Sequence, residues 1–304
     1  MGGLSREREI SLKTGKAILE ALSKKGYDVH PIDVGQFIAE TLTREKIECA
    51  FLALHGRFGE DGTIQGLLEL MKIPYTGSGV LASALAMHKI MAKKVFLYEK
   101  IPTPPYEVLM REEIEKDPSI GISLSLPVVI KPAREGSTLG VSIVMKEEEL
   151  VPALNKAKEY DEEILVEAFM RGKEITVGII EDIPLPIVEI VPRSGFYDYR
   201  SKYTKGATQY IIPAQIPKEK YDFAQEISLK AYQALDCCDC ARVDLMTDEG
   251  GNPFVIDVNT MPGMTETSLL PQAARSAGIS FEDLSERILL RASLKIESGE
   301  WIRH

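Results

Sequence analysis

The sequence lacks the features that would place the protein in a membrane or on nucleic acid. No apolar run approaches the ~20 residues of a transmembrane helix, and the charged start at residues 5–9 is unlike a signal peptide. Acidic residues outnumber basic ones by 46 to 36, so the net charge of -10 supplies no basic surface for nucleic acid or anionic lipid. We therefore expect a cytoplasmic protein that binds small molecules, with no membrane or nucleic-acid partner.

Cysteine is scarce, and its spacing fits no zinc site. Three of the four cysteines form the run Cys237-Cys-Asp-Cys240, with no histidine or second cysteine pair nearby. We interpret them as reduced thiols at the start of a strand. The sequence also has neither the Gly-Lys-Ser/Thr of a P-loop nor a Gly-x-Gly-x-x-Gly fingerprint, which excludes two common nucleotide-binding motifs.

The chain is long and apolar enough to form several cores. Its 304 residues predict two domains or three, and 44% of them are apolar. In the first third, helical patterns alternate with short apolar runs, which indicates an α/β unit with a parallel sheet. Helices are predicted at residues 7–25, 37–46, 81–99, 147–159, 218–235, 272–278 and 281–294, and strands at 27–32, 49–54, 126–132, 141–144, 164–170 and 174–180.

The most informative stretch is a predicted β-hairpin near the carboxyl end. Residues 242–246 and 254–259 alternate polar and apolar side chains, and Gly250-Gly251 between them is a turn signal. With that turn, Asp244 lies opposite Asp257 and Arg242 lies opposite Asn259. These four polar side chains share one face, and the other face is left for Val243, Leu245, Ile256 and Val258.

The polar face of this hairpin suits a metal ion that carries a polyphosphate. Two carboxylates and an amide oxygen are the hard ligands that Mg²⁺ prefers, and nucleotide phosphates usually complete its octahedron. The alternative is an ordinary hairpin with a solvated face. The loop Thr260–Ser268 then leads into a helix that begins near Leu269. Backbone N–H groups at a helix start suit anionic ligands, which favours the first interpretation.

Three loops elsewhere carry further candidates. His55 follows a predicted strand in a glycine-rich, charged loop, at the sheet edge where open α/β sheets place ligands. No second histidine accompanies it, so we expect it to donate a hydrogen bond to a carboxylate rather than bind a metal. The small-residue loop Arg134–Gly140 after Lys131 can bring backbone N–H groups close to phosphates. The aromatic run within residues 192–210 predicts a lid.

Widely separated motifs together resemble the D-alanine–D-alanine ligase family of ATP-grasp enzymes, over nearly the whole chain. They are Glu7-Arg-Glu-Ile-Ser11, Leu54-His-Gly-Arg57, Gly59-Glu-Asp-Gly62, Tyr75-Thr-Gly-Ser-Gly79, Ile130-Lys-Pro132, Arg134-Glu-Gly-Ser137, Phe196-Tyr-Asp-Tyr199, Asp257-Val-Asn-Thr260 and Pro262-Gly-Met264.

The resemblance implies an α/β (α+β) three-domain ATP-grasp fold. Residues 1–79 would form an amino-terminal domain with an open parallel sheet, which lacks its usual first strand because no strand precedes Gly2-Gly3. Residues 80–170 would form the central ATP-grasp domain. Residues 171–304 would form the carboxyl-terminal ATP-grasp domain, with the lid loop at 192–210. A homodimer is also implied.

The implied reaction joins two D-alanine molecules through a D-alanyl phosphate, with ATP, for peptidoglycan precursor synthesis. Asp244, Asp257 and Asn259 would hold two Mg²⁺ ions, or Mn²⁺ in their place. In this family a glutamate usually stands where the chain has Asp257. By comparison with that pattern, the shorter side chain would change bidentate metal binding into monodentate binding.

The resemblance also implies which residues contact the nucleotide. Lys89 and Lys131 would contact the ATP phosphates, and Glu174 would contact the ribose hydroxyl groups. The adenine would meet Glu167, Phe169 and nearby backbone.

The remaining implied roles concern the two amino acids. Glu7 and His55 would face the first D-alanine, whereas Ser268 and Leu269 would face the second. Arg242 and the backbone N–H of Gly263 would stabilise the tetrahedral oxyanion. Glu7, Ser137 and Tyr203 would form a hydrogen-bonded chain, in which Tyr203 favours dipeptide over depsipeptide synthesis.

The sequence leaves two alternatives open. One is a ligase that makes D-alanyl-D-lactate or joins another carboxylic acid to an amine. The other is a nucleotide-binding regulatory protein that has lost the chemistry. The intact set of Lys131, Arg242, Asp244, Asp257 and Asn259 argues against the second.

Overall fold

The computed structural model describes residues 1–117, 120–136, 138–192 and 206–296. Ser137, Tyr203 and most of the predicted lid at 192–210 lie outside these ranges. The helices are α1 (Arg8–Lys24), α2 (Ile38–Arg44), α3 (Thr63–Met71), α4 (Val80–Met87), α5 (Lys89–Tyr98), α6 (Arg111–Lys116), α7 (Leu150–Ala157), α8 (Lys218–Ala234), α9 (Leu269–Ser276) and α10 (Phe281–Leu289). Among the described helices, none is long and apolar enough to cross a membrane.

The strands form two antiparallel sheets. They are β1 (Tyr106–Met110), β2 (Val128–Pro132), β3 (Ser142–Val144), β4 (Glu163–Ala168), β5 (Glu174–Ile180), β6 (Ile183–Pro184), β7 (Val188–Pro192), β8 (Thr208–Ile211), β9 (Cys240–Thr247) and β10 (Pro253–Asn259). The four-stranded sheet has the order β1-β4-β2-β3. The six-stranded sheet has the order β10-β9-β5-β7-β8, with β6 paired to β5. The strands β4 and β5 are neighbours in sequence but belong to different sheets.

Apolar side chains cover both faces of the six-stranded sheet. One face packs Val177 and Val243 against helices α4, α5 and α8, with Phe96 fully buried among them. The other face packs against α9 and α10, and α1 joins that cluster through Leu22. In α1 the buried Ile18, Ala21 and Leu22 recur at helical spacing on one side. Each buried leucine or isoleucine side chain contributes about 1.5–3 kcal/mol to folding.

The predicted helix at 81–99 is wrong at His88, where α4 ends and α5 begins. The ψ angle of His88 is 88°, outside the helical region. The next N–H group, of Lys89, donates to the carbonyl oxygen of Ala133 at 2.9 Å instead of to the preceding turn. Local periodicity cannot show such a distant partner. The break places Lys89 in the first turn of α5.

The amino-terminal sheet is smaller than predicted. Residues 27–32 and 49–54 contain no strand, and the described parallel contacts are isolated bridges from Gly2 to Val34 and from Ala50 to Tyr75. A ladder needs consecutive pairs in register, whereas residues 27–32 form no bridge and residues 49–54 form one, at Ala50. Helices α1 and α2 are confirmed close to their predicted limits. The proposed domain boundaries remain a prediction.

The predicted hairpin is confirmed as β9 and β10, with one correction. Asp257 pairs with Asp244 and Asn259 with Arg242, as the alternation predicts. The register shifts between Val255 and Asp257, so Ile256 is an extra residue, a β-bulge. Val255, rather than Ile256, is therefore the residue that joins the core together with Val243, Leu245 and Val258.

Candidate active site

A cleft of about 830 Å³ opens beside the hairpin. Its walls come from the start of α1, the His55 loop, the α4–α5 junction, strands β9 and β10, and the segment that leads into α9. Most of the site residues predicted from the sequence line it, namely Glu7, His55, Lys89, Arg242, Asp244, Asp257, Asn259, Gly263, Ser268 and Leu269. The structure thus brings together residues that lie more than 250 positions apart in the chain.

Arg242 and Asp244 form a bidentate ion pair on the cleft wall. The Arg242 Nε and Nη2 atoms each lie 2.8 Å from an Asp244 carboxylate oxygen. The hydroxyl of Thr176, on the neighbouring strand β5, donates a third hydrogen bond to Asp244 Oδ1 at 2.6 Å. Planar guanidinium and carboxylate groups fix each other's orientation in such pairs. Asp244 is therefore held from two sides.

Asp257 and Asn259 provide further oxygen atoms on the same face. The Asp257 Oδ2 atom lies 3.6 Å from the Lys89 ammonium, whose second partner is the carbonyl oxygen of Glu135 at 2.9 Å. The Asn259 Oδ1 atom accepts a hydrogen bond from the N–H of Met261 at 2.9 Å, which fixes the amide group. A carbonyl oxygen has two lone pairs, so Asn259 keeps one for a ligand.

The oxygen atoms of Asp244, Asp257 and Asn259 suit Mg²⁺, but only together with oxygen atoms from a bound ligand. Within the described ranges, no group of three Asp, Glu, His or Cys side chains could hold a metal ion alone. Two carboxylates and one amide oxygen are hard ligands of the kind Mg²⁺ prefers, and phosphate oxygens normally supply the rest of its shell. Asp257, Asn259 and Asp244 would then hold a cation that reaches the site with a polyphosphate.

Glu7 and His55 also line the cleft. The His55 ring is almost fully buried, with Nε2 at 3.1 Å from the Thr14 hydroxyl and Nδ1 at 3.7 Å from Glu60 Oε1. Thr14 comes from α1, and Glu60 is fixed by accepting a hydrogen bond from the Gly56 N–H at 2.7 Å. Neighbours on two segments therefore orient the imidazole.

Glycine makes room for the Glu7 carboxylate. A Cβ atom at Gly56 would lie 2.8 Å from Glu7 Oε2, and one at Gly136 would lie 3.0 Å from the same oxygen. Gly56 also has a φ of +72°, a conformation that side chains rarely adopt. Either glycine, replaced by a larger residue, would push Glu7 out of its place.

Gly263, Ser268 and Leu269 form the end of the cleft nearest to α9. Ser268 precedes the helix, and its Oγ atom accepts a hydrogen bond from the Thr265 N–H at 3.1 Å. A Cβ atom at Gly263 would lie 3.0 Å from Ser268 Oγ, so a side chain there would crowd the serine. Leu269 is buried at the first position of α9.

Of the predicted nucleotide residues, Lys89 lines the cleft and the other four lie apart from it. Lys131, Glu167, Phe169 and Glu174 are absent from the cleft wall among the described residues. Lys131 and Glu167 pair with each other in the four-stranded sheet, with Nζ at 2.6 Å from Oε2. Phe169 is half-buried after β4, and Glu174 is half-buried at the start of β5. Ser137 and Tyr203 lie outside the described ranges.

Sequence reasoning missed three residues that contact the predicted ones. They are Thr14 beside His55, Thr176 beside Asp244, and Lys93 beside Glu167. The threonines carry no local signal, since each acts across a tertiary contact. Lys93 did carry a local signal, because it lies four residues after Lys89 and therefore on the same side of the helix.

Comparisons with known proteins agree over nearly the whole chain. Residues 96–290 match the family model described as D-ala D-ala ligase C-terminus, and residues 35–78 match D-ala D-ala ligase N-terminus. The D-alanine–D-alanine ligase of Syntrophotalea carbinolica is 53% identical over 97% of this chain and 95% of its own length. That of Geobacter sulfurreducens is 52% identical over 98% and 94%.

Solved structures give the same result for the fold. The D-alanine–D-alanine ligase of Bacillus anthracis complexed with ATP superposes with a TM-score of 0.83 at 36% identity, covering 99% of this chain and 98% of that one. The VanG D-Ala:D-Ser ligase of Enterococcus faecalis superposes with a TM-score of 0.78 at 30% identity, covering 95% and 96%. The fold is therefore that of ATP-grasp ligases.

Proposed function

The chain belongs to the D-alanine–D-alanine ligase family and is an ATP-dependent ligase, and we propose that it makes D-alanyl-D-alanine in two steps within the cleft. In the first step a carboxylate oxygen of one D-alanine attacks the γ-phosphorus of ATP, which gives D-alanyl phosphate and ADP. In the second step the amine of another D-alanine attacks the carbonyl carbon. The tetrahedral intermediate then expels phosphate, and the amine loses a proton.

One observation carries this proposal. One cleft brings together two sets of charged or polar side chains, Asp244, Asp257 and Lys89 in the first and Glu7 and His55 in the second. The first set suits a phosphoryl group that is transferred, because fixed charges stabilise phosphoryl transfer. The second suits an amino acid, since Glu7 can bind an ammonium group and the buried His55 can donate to a carboxylate.

The residues of this chain act by position and charge, and the reaction needs no covalent nucleophile. Lys89 and Lys131 would bind the phosphates. Mg²⁺ bound by Asp244, Asp257 and Asn259 would offset charge on the transferred group.

The oxyanion of the second step would lie against a different pair of groups. Arg242 and the Gly263 N–H would donate to the developing oxyanion. A closed cleft would also exclude water, which otherwise hydrolyses an acyl phosphate.

A phosphate-release assay with ATP, Mg²⁺ and D-alanine tests the proposal. We expect phosphate release that depends on D-alanine and stops when Mg²⁺ is chelated, with the dipeptide identified by mass spectrometry. D-Serine and D-lactate, each added with D-alanine, would identify an acceptor other than D-alanine. ATP binding without turnover in any mixture would instead support a regulatory protein. The homodimer and the cytoplasmic location remain predictions.

A further inference from the structure

Lys93 has a buried ammonium group that takes no part in the steps above. Its side chain is 1% exposed. It lies one helical turn after Lys89 on α5, so the two lysines point to the same side of the helix. Lysine is rarely buried unless it is paired, because removing an ammonium group from water is costly. The partners of Lys93 therefore indicate what the group does.

The Lys93 ammonium connects three parts of the fold. It makes an ion pair with Glu167 in β4, and it donates to the Thr103 hydroxyl at 2.5 Å. Thr103 in turn donates to the carbonyl oxygen of Val255 in β10 at 2.8 Å. The ring of Tyr106 in β1 has its centroid 5.4 Å from Nζ. The Lys93 ammonium on α5 thus contacts the four-stranded sheet directly, and it reaches β10, the strand that carries Asp257, through the Thr103 hydroxyl.

Glu167 has two cationic partners, one on each carboxylate oxygen. Lys93 pairs with Oε1, and Lys131 donates to Oε2 at 2.6 Å. Burial alone would raise the pKa of Glu167, but Lys131 and Lys93 together hold that pKa below its usual range. Two ammonium groups facing one carboxylate leave an excess of positive charge. If one ammonium leaves, the remaining two groups form a neutral buried pair.

We propose that Lys93 is a positioning residue that keeps Glu167 ionised and oriented while Lys131 turns from Glu167 to a phosphate of ATP. This inference rests on the proposed function, which assigns Lys131 and Glu167 to the nucleotide. Without Lys93, Lys131 would be the sole counter-ion of a buried carboxylate, and its departure would leave that charge unpaired. With Lys93 in place, Lys131 is free to bind phosphate.

The same arrangement sets the preference for a base. An ionised carboxylate accepts hydrogen bonds and cannot donate them. Glu167 therefore favours a purine that offers a 6-amino group, as adenine does, over one with a carbonyl oxygen there, as hypoxanthine has. If Glu167 is no longer an oriented acceptor, the site no longer discriminates between adenine and hypoxanthine. Binding of hypoxanthine then leaves no buried carboxylate without a hydrogen-bond donor.

The test replaces Lys93 with methionine, which keeps the length and removes the charge. Lys94→Met is the matched control, since Lys94 is exposed on the same helix. Calorimetry measures the Kd for ADP, and turnover with ATP and with ITP measures base preference. We expect the Kd for ADP to rise about tenfold to a hundredfold in Lys93→Met. The ATP/ITP preference falls in the same variant, and Lys94→Met matches the wild type.

Two further measurements separate positioning from a structural role. If Lys93 acts through Glu167, the double variant Lys93→Met/Glu167→Gln loses no more nucleotide affinity than Glu167→Gln alone. A folded Lys93→Met variant with wild-type ADP affinity and base preference would overturn the inference. If that variant does not fold, Thr103→Val removes one partner of Lys93, and an unchanged ATP/ITP preference there overturns it equally. ADP affinity can be measured even if the wild type forms no dipeptide, so failure of the proposed function is recognised separately.

Discussion

Replacing Arg242 with methionine separates two roles that its position allows. Arg242 holds Asp244 through two bonds of 2.8 Å, and it also lines the cleft where the oxyanion of the second step would form. Methionine fills a similar space without charge or hydrogen-bond donors. The variant therefore loses the orientation of Asp244 and the oxyanion donor together.

The two losses affect different measured quantities, kcat for the oxyanion donor and the apparent Mg²⁺ affinity for the orientation of Asp244. Removal of one preorganised oxyanion donor lowers kcat by about 10²–10³. A hydrogen bond to a charged group contributes about 1.5–3 kcal/mol, so loss of the two bonds from Arg242 to Asp244 lowers the apparent Mg²⁺ affinity by roughly a hundredfold or more. Excess Mg²⁺ can restore the second loss but not the first. We therefore expect kcat at saturating Mg²⁺ to stay about 10²–10³ below wild type.

Thr176→Val is the matched control for this prediction. The Thr176 hydroxyl supports Asp244 Oδ1 at 2.6 Å from β5, and its loss leaves Arg242 in place. Phosphate release at increasing Mg²⁺ should show Thr176→Val returning close to wild-type kcat, while Arg242→Met does not. If both variants recover equally at high Mg²⁺, Arg242 serves only as a partner of Asp244, and its assignment to the oxyanion is refuted.

Three further predictions follow from the site and its surroundings. Asp257→Asn should raise the Mg²⁺ concentration needed for turnover while the melting temperature stays near wild type, because carboxylate charge is lost with little change of shape; activity near wild type at low Mg²⁺ would remove Asp257 from the metal site. Tyr203→Phe should let D-lactate compete with D-alanine as acceptor without changing the Kd for ATP, and an unmoved product ratio would contradict the role that the family resemblance gives Tyr203. Burial raises the pKa of Asp161, but hydrogen bonds from Arg134 outweigh it and lower that pKa below its usual value. The stability contributed by the pair is therefore complete above about pH 4 and is lost as the pH falls below it, so denaturant midpoints at pH 7 and pH 3 should differ less in Asp161→Asn than in wild type; equal differences would show that Asp161 contributes no pH dependence.

The parts of the site that local alternation defines were predictable from the sequence. Two alternating strands and a glycine turn are enough to predict that Asp244 lies opposite Asp257 and that Arg242 lies opposite Asn259. The bulge at Ile256 was not predictable, because a strand with an extra residue shows the same apolar and polar letters. The break at His88 was also hidden, since its cause is the carbonyl oxygen of Ala133 in a distant segment.

Charged residues in helices and strands showed the limit of reasoning by motif. Lys131 and Glu167 were both predicted as nucleotide contacts, and nothing in their spacing of 36 positions indicates that they bind each other. Lys93 is one of two adjacent lysines, of which one is buried and the other exposed. A helical projection from Lys89 distinguishes them. The reason why Lys93 is buried, however, is its pairing with Glu167 in the four-stranded sheet, which the local sequence does not show.

The bulge in β10 has a consequence for how this hairpin can change in length. Val255 keeps its partner on one side of Ile256, and Asp257 keeps its partner on the other. Deletion of Ile256 would therefore leave every residue of the hairpin opposite the same partner and on the same face of the sheet. An insertion between Asp257 and Asn259, in contrast, would turn one of the two ligands toward the core. Among related sequences, single-residue gaps should therefore collect at the bulge and avoid the two positions after it, which an alignment of hairpin lengths can check.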